Sequence, residues 1–152
     1  MKVGDTLPNL SLPATGNKTI TLSDLLGNNV VLYFYPKDDT PGCTQEGQDF
    51  RDNYEVFSTL NTVILGVSRD DVKKHEKFQA KYNFPFDLLS DENEQLCQLF
   101  DVIKPKNMFG KLVKGIERST FLFDRQGILR HEWRKVKVPG HIEQVLAATR
   151  AL

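Results

Sequence analysis

A mixed α/β sheet flanked by helices is the fold this sequence predicts, and three observations carry it. Two runs, "NNVVLYFYP" and "TVILGVS", are continuously apolar and rich in β-branched and aromatic residues, the pattern of strands covered on both faces. Each is followed by a stretch whose apolar residues recur at helical spacing. Towards the C-terminus, "LVKGIERSTFLFDRQGILRHEWRKV" reads as two strands joined by a turn at Asp124–Gly127.

The elements then follow in order. "NLSLPATGNKTITLSDL" predicts an outer hairpin ahead of the first buried strand. After that strand, the turn "PKDDTPG" leads into a helix on which Phe50, Tyr54 and Phe57 share a face. One heptad before Phe50 stands Cys43, with Gly47 between them, so Cys43 begins the inward face of the helix. "RDDVKKHEKFQAKYN" predicts a helix capped by Asp70 or Asp71, with Val72, His75, Phe78 and Tyr82 on one side. "FPFDLLSDENEQLCQLFDV" reads as a short strand, a Ser90/Asp91 cap and a short helix, and "GHIEQVLAATRAL" as the closing helix. Strand, turn, helix, strand, helix, hairpin, helix is the order of a thioredoxin-like fold. No repeat or linker interrupts it, so residues 1–152 are expected to form one domain.

Composition narrows the function. Twenty basic and twenty acidic side chains leave no net charge and no like-charge block, which favours neither nucleic acid nor an anionic membrane as partner. The lysines of the Lys104–Lys114 stretch are spaced by apolar residues and read as a solvated loop and strand edge. No apolar run reaches signal-peptide or membrane-spanning length, so the expected location is the cytoplasm. Thiols are kept reduced there, and the two cysteines are expected to be core residues or redox-active ones rather than a structural disulfide. The three histidines are scattered and no second cysteine stands near Cys43, so no metal site is expected.

Cys43 follows "TPG" and so falls in the first turn of its helix, where unpaired backbone amides and the helix dipole stabilise a thiolate. A dithiol C-x-x-C site is excluded, because Thr40 stands where the attacking thiol would be. A hydroxyl one turn from a thiolate suits a substrate that must be hydrogen-bonded while sulfur attacks it. Thr40 also fits the simpler role of an N-cap, and the two roles are compatible.

The stretch "YPKDDTPGC" contains P-x-x-x-T-x-x-C as Pro36, Thr40 and Cys43, and "GIERSTFLFD" carries Arg118. Together these resemble the peroxiredoxins. "VGDTLPNLSLP", "LSDENEQL" and "EWRKVKVPGH" extend the resemblance, over nearly the whole chain, to the bacterioferritin comigratory protein or peroxiredoxin Q subfamily. The resemblance implies a thiol peroxidase acting on hydrogen peroxide and organic hydroperoxides, without cofactor, through a Cys43 sulfenic acid. Pro36, Thr40 and Arg118 would then complete the site, and Glu46 would orient Arg118 or simply favour the helix N-terminus. A thioredoxin, a glutaredoxin or a small thiol would return the electrons, and the chain would be a monomer.

A sulfenic acid is resolved by a second thiol. The positions where this subfamily often carries one hold Gln48 and Gln79. The remaining thiol, Cys97, is a candidate for resolution or for packing beside Leu96, Leu99 and Phe100, and the residues favour a one-cysteine mechanism. The alternative from another class is a redox-inactive thioredoxin-like binding or chaperone module in which Cys43 is structural.

Overall fold

The computed structural model describes residues 1–152. An N-terminal hairpin, β1 (Ser11–Ala14) and β2 (Lys18–Thr21), runs through a short 3-10 turn into β3 (Asn29–Phe34). Next come α1 (Pro41–Asp52), α2 (Tyr54–Thr59), β4 (Thr62–Ser68), α3 (Val72–Tyr82), β5 (Asp87–Ser90) and α4 (Gln95–Leu99). The chain closes with β6 (Ile103–Met108), β7 (Lys111–Ile116), β8 (Ser119–Phe123), β9 (Leu129–Trp133) and α5 (His141–Arg150).

Seven strands make one mixed sheet in the order β2-β1-β5-β4-β3-β8-β9. The two apolar runs of the sequence are its central strands β3 and β4, paired in parallel from Asn29 opposite Thr62 to Phe34 opposite Val67. Strand alternation splits the interior in two. Val30, Leu32 and Phe34 face one core, closed by β1, α4 and Phe100. Val31 and Tyr33 face the other, closed by Phe50 of α1, Phe57 of α2, Phe78 of α3 and Ile142 and Val145 of α5. The predicted thioredoxin-like α/β architecture is therefore the one observed.

Local signals explain the boundaries. Asp71 is the cap of α3, its carboxylate accepting the Lys74 amide at 2.8 Å. Asp91 serves α4 from a distance, taking the amides of Leu96 and Cys97 at 3.1 and 2.7 Å, while Ser90 instead donates to the Asp70 carbonyl.

Two expectations are corrected. The Phe50–Phe57 stripe does not lie on one helix, because Asn53 leaves the helical region (φ −109°, ψ 8°) and its side-chain amide donates to the Asp49 carbonyl, dividing α1 from α2. The Lys104–Lys114 stretch, expected as a solvated loop and strand edge, is largely solvated but forms a separate two-stranded ribbon of β6 and β7. Its turn is made by Phe109 (φ 53°) and Gly110 (φ 80°). Two consecutive positive φ values are what a type I′ hairpin turn requires, and phenylalanine is a poor advertisement for one.

Candidate active site

The site forms where β3 ends and α1 begins, at the C-terminal edge of the parallel strands. Pro41 opens α1, where a residue without an N–H forfeits no helical bond. The first intrahelical amide is that of Thr44, which donates to the Thr40 carbonyl at 2.8 Å. The amides of Gly42 and Cys43 thus have no partner one turn back, and they point out of the helix start. Thr40 occupies the N-cap position in an extended conformation but makes no capping bond with its side chain. Its hydroxyl donates to the Lys37 carbonyl at 2.8 Å, which leaves the oxygen lone pairs free to accept. Pro36 is half-buried at the start of the same segment.

Cys43 is 1% exposed, packed with Tyr33, Tyr35 and Phe50 on the helix face that the heptad spacing predicts. Arg118 reaches it from the junction between β7 and β8. Its Nη2 donates to Cys43 Sγ at 3.5 Å and its Nη1 to Glu46 Oε1 at 2.7 Å. Glu46 lies one turn along α1 from Cys43, so one helix face presents both the sulfur and the carboxylate that holds the guanidinium. Gly42 makes room for this: a Cβ there would stand 3.0 Å from Arg118 Nη2.

Burial dominates the carboxyl of Glu46 and raises its pKa to about 7, against the opposing pull of Arg118. Burial likewise works against the charge of Arg118, but Glu46 and then Cys43 outweigh it and hold the guanidinium proton more tightly than usual. Glu46 Oε2 and the Tyr33 hydroxyl are buried without hydrogen-bond partners. The Tyr33 ring stacks on Phe50 with centroids 4.5 Å apart, in space that Gly66 leaves open: a Cβ at Gly66 would stand 3.0 Å from the hydroxyl.

Two nearby groups, Lys106 and His141, drew no functional reading from the sequence. Lys106 projects from the β6–β7 ribbon, donates through Nζ to the Ile116 carbonyl, and has its pKa lowered by burial and by Arg118. His141 opens α5, bonds through Nε2 to the Thr120 hydroxyl at 2.8 Å, and is pushed down to about 4 by burial and then by Arg118. Trp133 packs its ring edge to face against His141, a packing role. Asp38, Asp70 and His75 bring three ligand-type atoms within 4.8 Å of one another. Each is already engaged in hydrogen bonds: Asp38 Oδ2 with His75 Nδ1, and Asp70 Oδ2 with the Ser68 hydroxyl and the Asp38 amide.

Cys97 lies elsewhere. It is fully buried in the core on the opposite face of the sheet, with Leu96 and Phe100. Its thiol is pushed well above the ordinary range, first by burial and then by the Asp91 carboxylate. Both cysteines are free thiols. Gln48 is half-buried on α1. Gln79 spends its side-chain amide on the Phe86 carbonyl at 2.9 Å and the Thr15 hydroxyl at 3.2 Å, tying α3 to the sheet.

Comparison with known proteins places this geometry in context. Residues 3–132 match the AhpC/TSA family. The peroxiredoxin Bcp of Bacillus subtilis is 52% identical over 146 residues, covering 96% of this chain and 93% of that protein. The peroxiredoxin Bcp of Xanthomonas campestris is 54% identical over 142 residues, covering 93% of this chain and 89% of the other. Among solved structures, a cysteine-to-serine mutant of Xylella fastidiosa PrxQ superposes with a TM-score of 0.94 at 48% identity, covering 99% of this chain and 96% of that one. The Xanthomonas campestris bacterioferritin comigratory protein, described for its alkyl peroxide reduction activity, superposes with a TM-score of 0.91 at 51% identity, covering 97% and 98%.

Proposed function

The chain belongs to the AhpC/TSA family, the peroxiredoxins, and is a thiol peroxidase; from that premise we propose that Cys43 is its peroxide-reacting nucleophile, with Thr40, Arg118 and Pro36 completing the site. The observation that carries this reading is the guanidinium of Arg118 donating to Cys43 Sγ at 3.5 Å while Glu46 holds its other nitrogen. A cation on a sulfur at a helix start favours thiolate.

The Cys43 thiolate attacks the outer oxygen of a hydroperoxide. The S–O bond forms, the O–O bond breaks, and the departing alkoxide or hydroxide takes a proton to leave as alcohol or water. Thr40, having given its own proton to the Lys37 carbonyl, accepts the peroxide O–H. Arg118 and the amides of Gly42 and Cys43 face the charge that grows as the O–O bond lengthens. Pro36 screens the pocket from water.

The Cys43 sulfenic acid then meets no internal thiol, because Cys97 is buried behind the sheet and Gln48 and Gln79 occupy the nearer positions. An external thiol therefore attacks, releasing water and leaving a mixed disulfide that a second thiol reduces. A thioredoxin, a glutaredoxin or a low-molecular-weight thiol supplies it. A monomeric chain of one domain, working in the reducing cytoplasm, completes the reading. No helix is long and apolar enough to cross a membrane.

Stopped-flow oxidation of wild type and Cys43→Ser tests the nucleophile. The expected result is peroxide-dependent oxidation in wild type and none in the variant. Intact mass after one equivalent of peroxide tests the resolution step. A single added oxygen is expected, whereas loss of two hydrogens that disappears in Cys97→Ser would establish an internal disulfide instead.

A further inference from the structure

The segment from Pro36 to Thr40 carries the groups that meet the peroxide in the reading above, and this inference rests on that reading. It is short, partly exposed and held from the side by α3 and the loop that leads into it. The Asp38 amide donates to Asp70 Oδ2 at 2.9 Å, and Asp38 Oδ1 accepts the Tyr35 hydroxyl at 2.7 Å. Asp38 Oδ2 stands 2.7 Å from Nδ1 of His75, a residue of α3 with no exposed surface.

The other ring nitrogen anchors this pair to the sheet. His75 Nε2 stands 2.9 Å from the Leu89 carbonyl, which can only accept, so Nε2 carries a proton. Nδ1 faces the Asp38 carboxylate across 2.7 Å, so one ring ties the Leu89 carbonyl of β5 to the Pro36–Thr40 segment. Such a bond tolerates little movement of either partner. Asp39, the next residue, sits at positive φ (56°) with its carboxylate held by Lys81 and Tyr82 at 2.8 Å each, both again from α3.

Two consecutive residues are thus gripped by one helix, immediately between the Lys37 carbonyl and the Thr40 hydroxyl that donates to it. We propose that His75 is a positioning residue for the peroxide step: through Asp38 it fixes the segment so that the Thr40 hydroxyl stays turned to the Lys37 carbonyl and its lone pairs stay free beside Cys43. His75 touches no reacting atom. Its effect passes through Thr40, and a misplacement of about 1 Å at such a group can cost up to about 100-fold in rate.

The test pairs two amide replacements that each keep one half of the imidazole. His75→Asn places a donor near Nδ1 and keeps the Asp38 contact, whereas His75→Gln places one near Nε2 and keeps only the Leu89 contact. Stopped-flow oxidation of Cys43 by hydrogen peroxide is read beside its alkylation by iodoacetamide, which needs a reachable thiolate but no Thr40. His75→Gln is expected to lose about tenfold in peroxide rate, with alkylation unchanged and with rescue towards the wild-type rate in His75→Asn. In a Thr40→Ala background the same replacement should cost nothing further.

A folded His75→Gln with the wild-type peroxide rate overturns the proposal, as do equal losses in both variants or a loss that adds to that of Thr40→Ala. Should the His75 replacements fail to fold, Asp38→Ala, which removes the other partner of the same bond between the exposed Lys37 and Asp39, must show the same selective loss of peroxide rate or the proposal falls. A wild type whose Cys43 does not react with peroxide would instead remove the functional reading on which this one rests.

Discussion

Cys43 and Cys97 are equally hidden, 1% and 0% exposed, and each belongs to a helix packed on the same sheet. They lie on opposite faces and in fields of opposite sign. Cys43 stands in the first turn of a twelve-residue helix with the guanidinium of Arg118 donating to its sulfur. Cys97 stands in a five-residue helix where burial first, and then the Asp91 carboxylate that accepts the Cys97 amide, drive its thiol pKa up. Burial alone therefore says little about a thiol. The charge beside the sulfur separates the proposed nucleophile from a core residue.

The largest effect that would break this contrast is at Arg118. Arg118→Ala removes the donor on Cys43 Sγ and should lower the second-order rate of peroxide oxidation by about 10²–10³-fold, the range typical for one preorganised donor. Iodoacetamide alkylation of Cys43 at neutral pH should slow as well, because the thiolate loses its counter-charge. A loss below about threefold in the peroxide rate would mean that the helix start suffices by itself.

A second, smaller effect concerns proton linkage on the Cys43 side, where both Glu46 and His141 lie. Glu46 is raised from 4.5 to about 7, so the stability it contributes is complete below about 4.5 and is lost as pH rises to about 7. His141 is lowered from 6.5 to about 4, so its contribution is complete above about 6.5 and is lost as pH falls to about 4. Between about pH 4.5 and 6.5 the two slopes oppose, each at most about 1.4 kcal/mol per pH unit. Urea unfolding across that window should show stability rising with pH in Glu46→Gln, where His141 acts alone, and falling with pH in His141→Gln. Parallel curves for wild type and both variants would contradict the assignment.

The contrast between the cysteines was only half legible in the sequence. The central strands and α3 were, because continuous apolar runs and an Asp cap are local signals. So was the placement of Cys43, by its heptad relation to Phe50 and the "TPG" before it. The meeting of Arg118 with Cys43 spans a separation of 75 residues and no spacing rule announces it. Resemblance alone drew attention to that arginine. The Asp38–His75 pair, 37 residues apart, showed only as one polar residue on an otherwise apolar helix face. The ribbon was missed because its turn uses Phe109 at positive φ, and the break at Asn53 because helical spacing survives a single residue out of register. Which face of the sheet receives α4, and Cys97 with it, depends on chain path rather than on composition.

Cys97 itself supplies the smallest effect and the one that isolates its role. Cys97→Ala deletes a single buried heavy atom among Leu96, Phe100 and their neighbours, and it keeps the backbone amide that donates to Asp91. The expected cost is about 1 kcal/mol in urea unfolding, near that of one buried methylene with its small cavity. The rate of Cys43 oxidation should match wild type, and so should turnover with an excess of external thiol. A resolving cysteine would give the reverse pattern, an unchanged first oxidation with turnover lost. For that, both Cα atoms would have to come within about 7 Å, across a sheet whose central strand β3 is buried along its whole length. Unaltered turnover in Cys97→Ala is therefore the outcome that follows from its position.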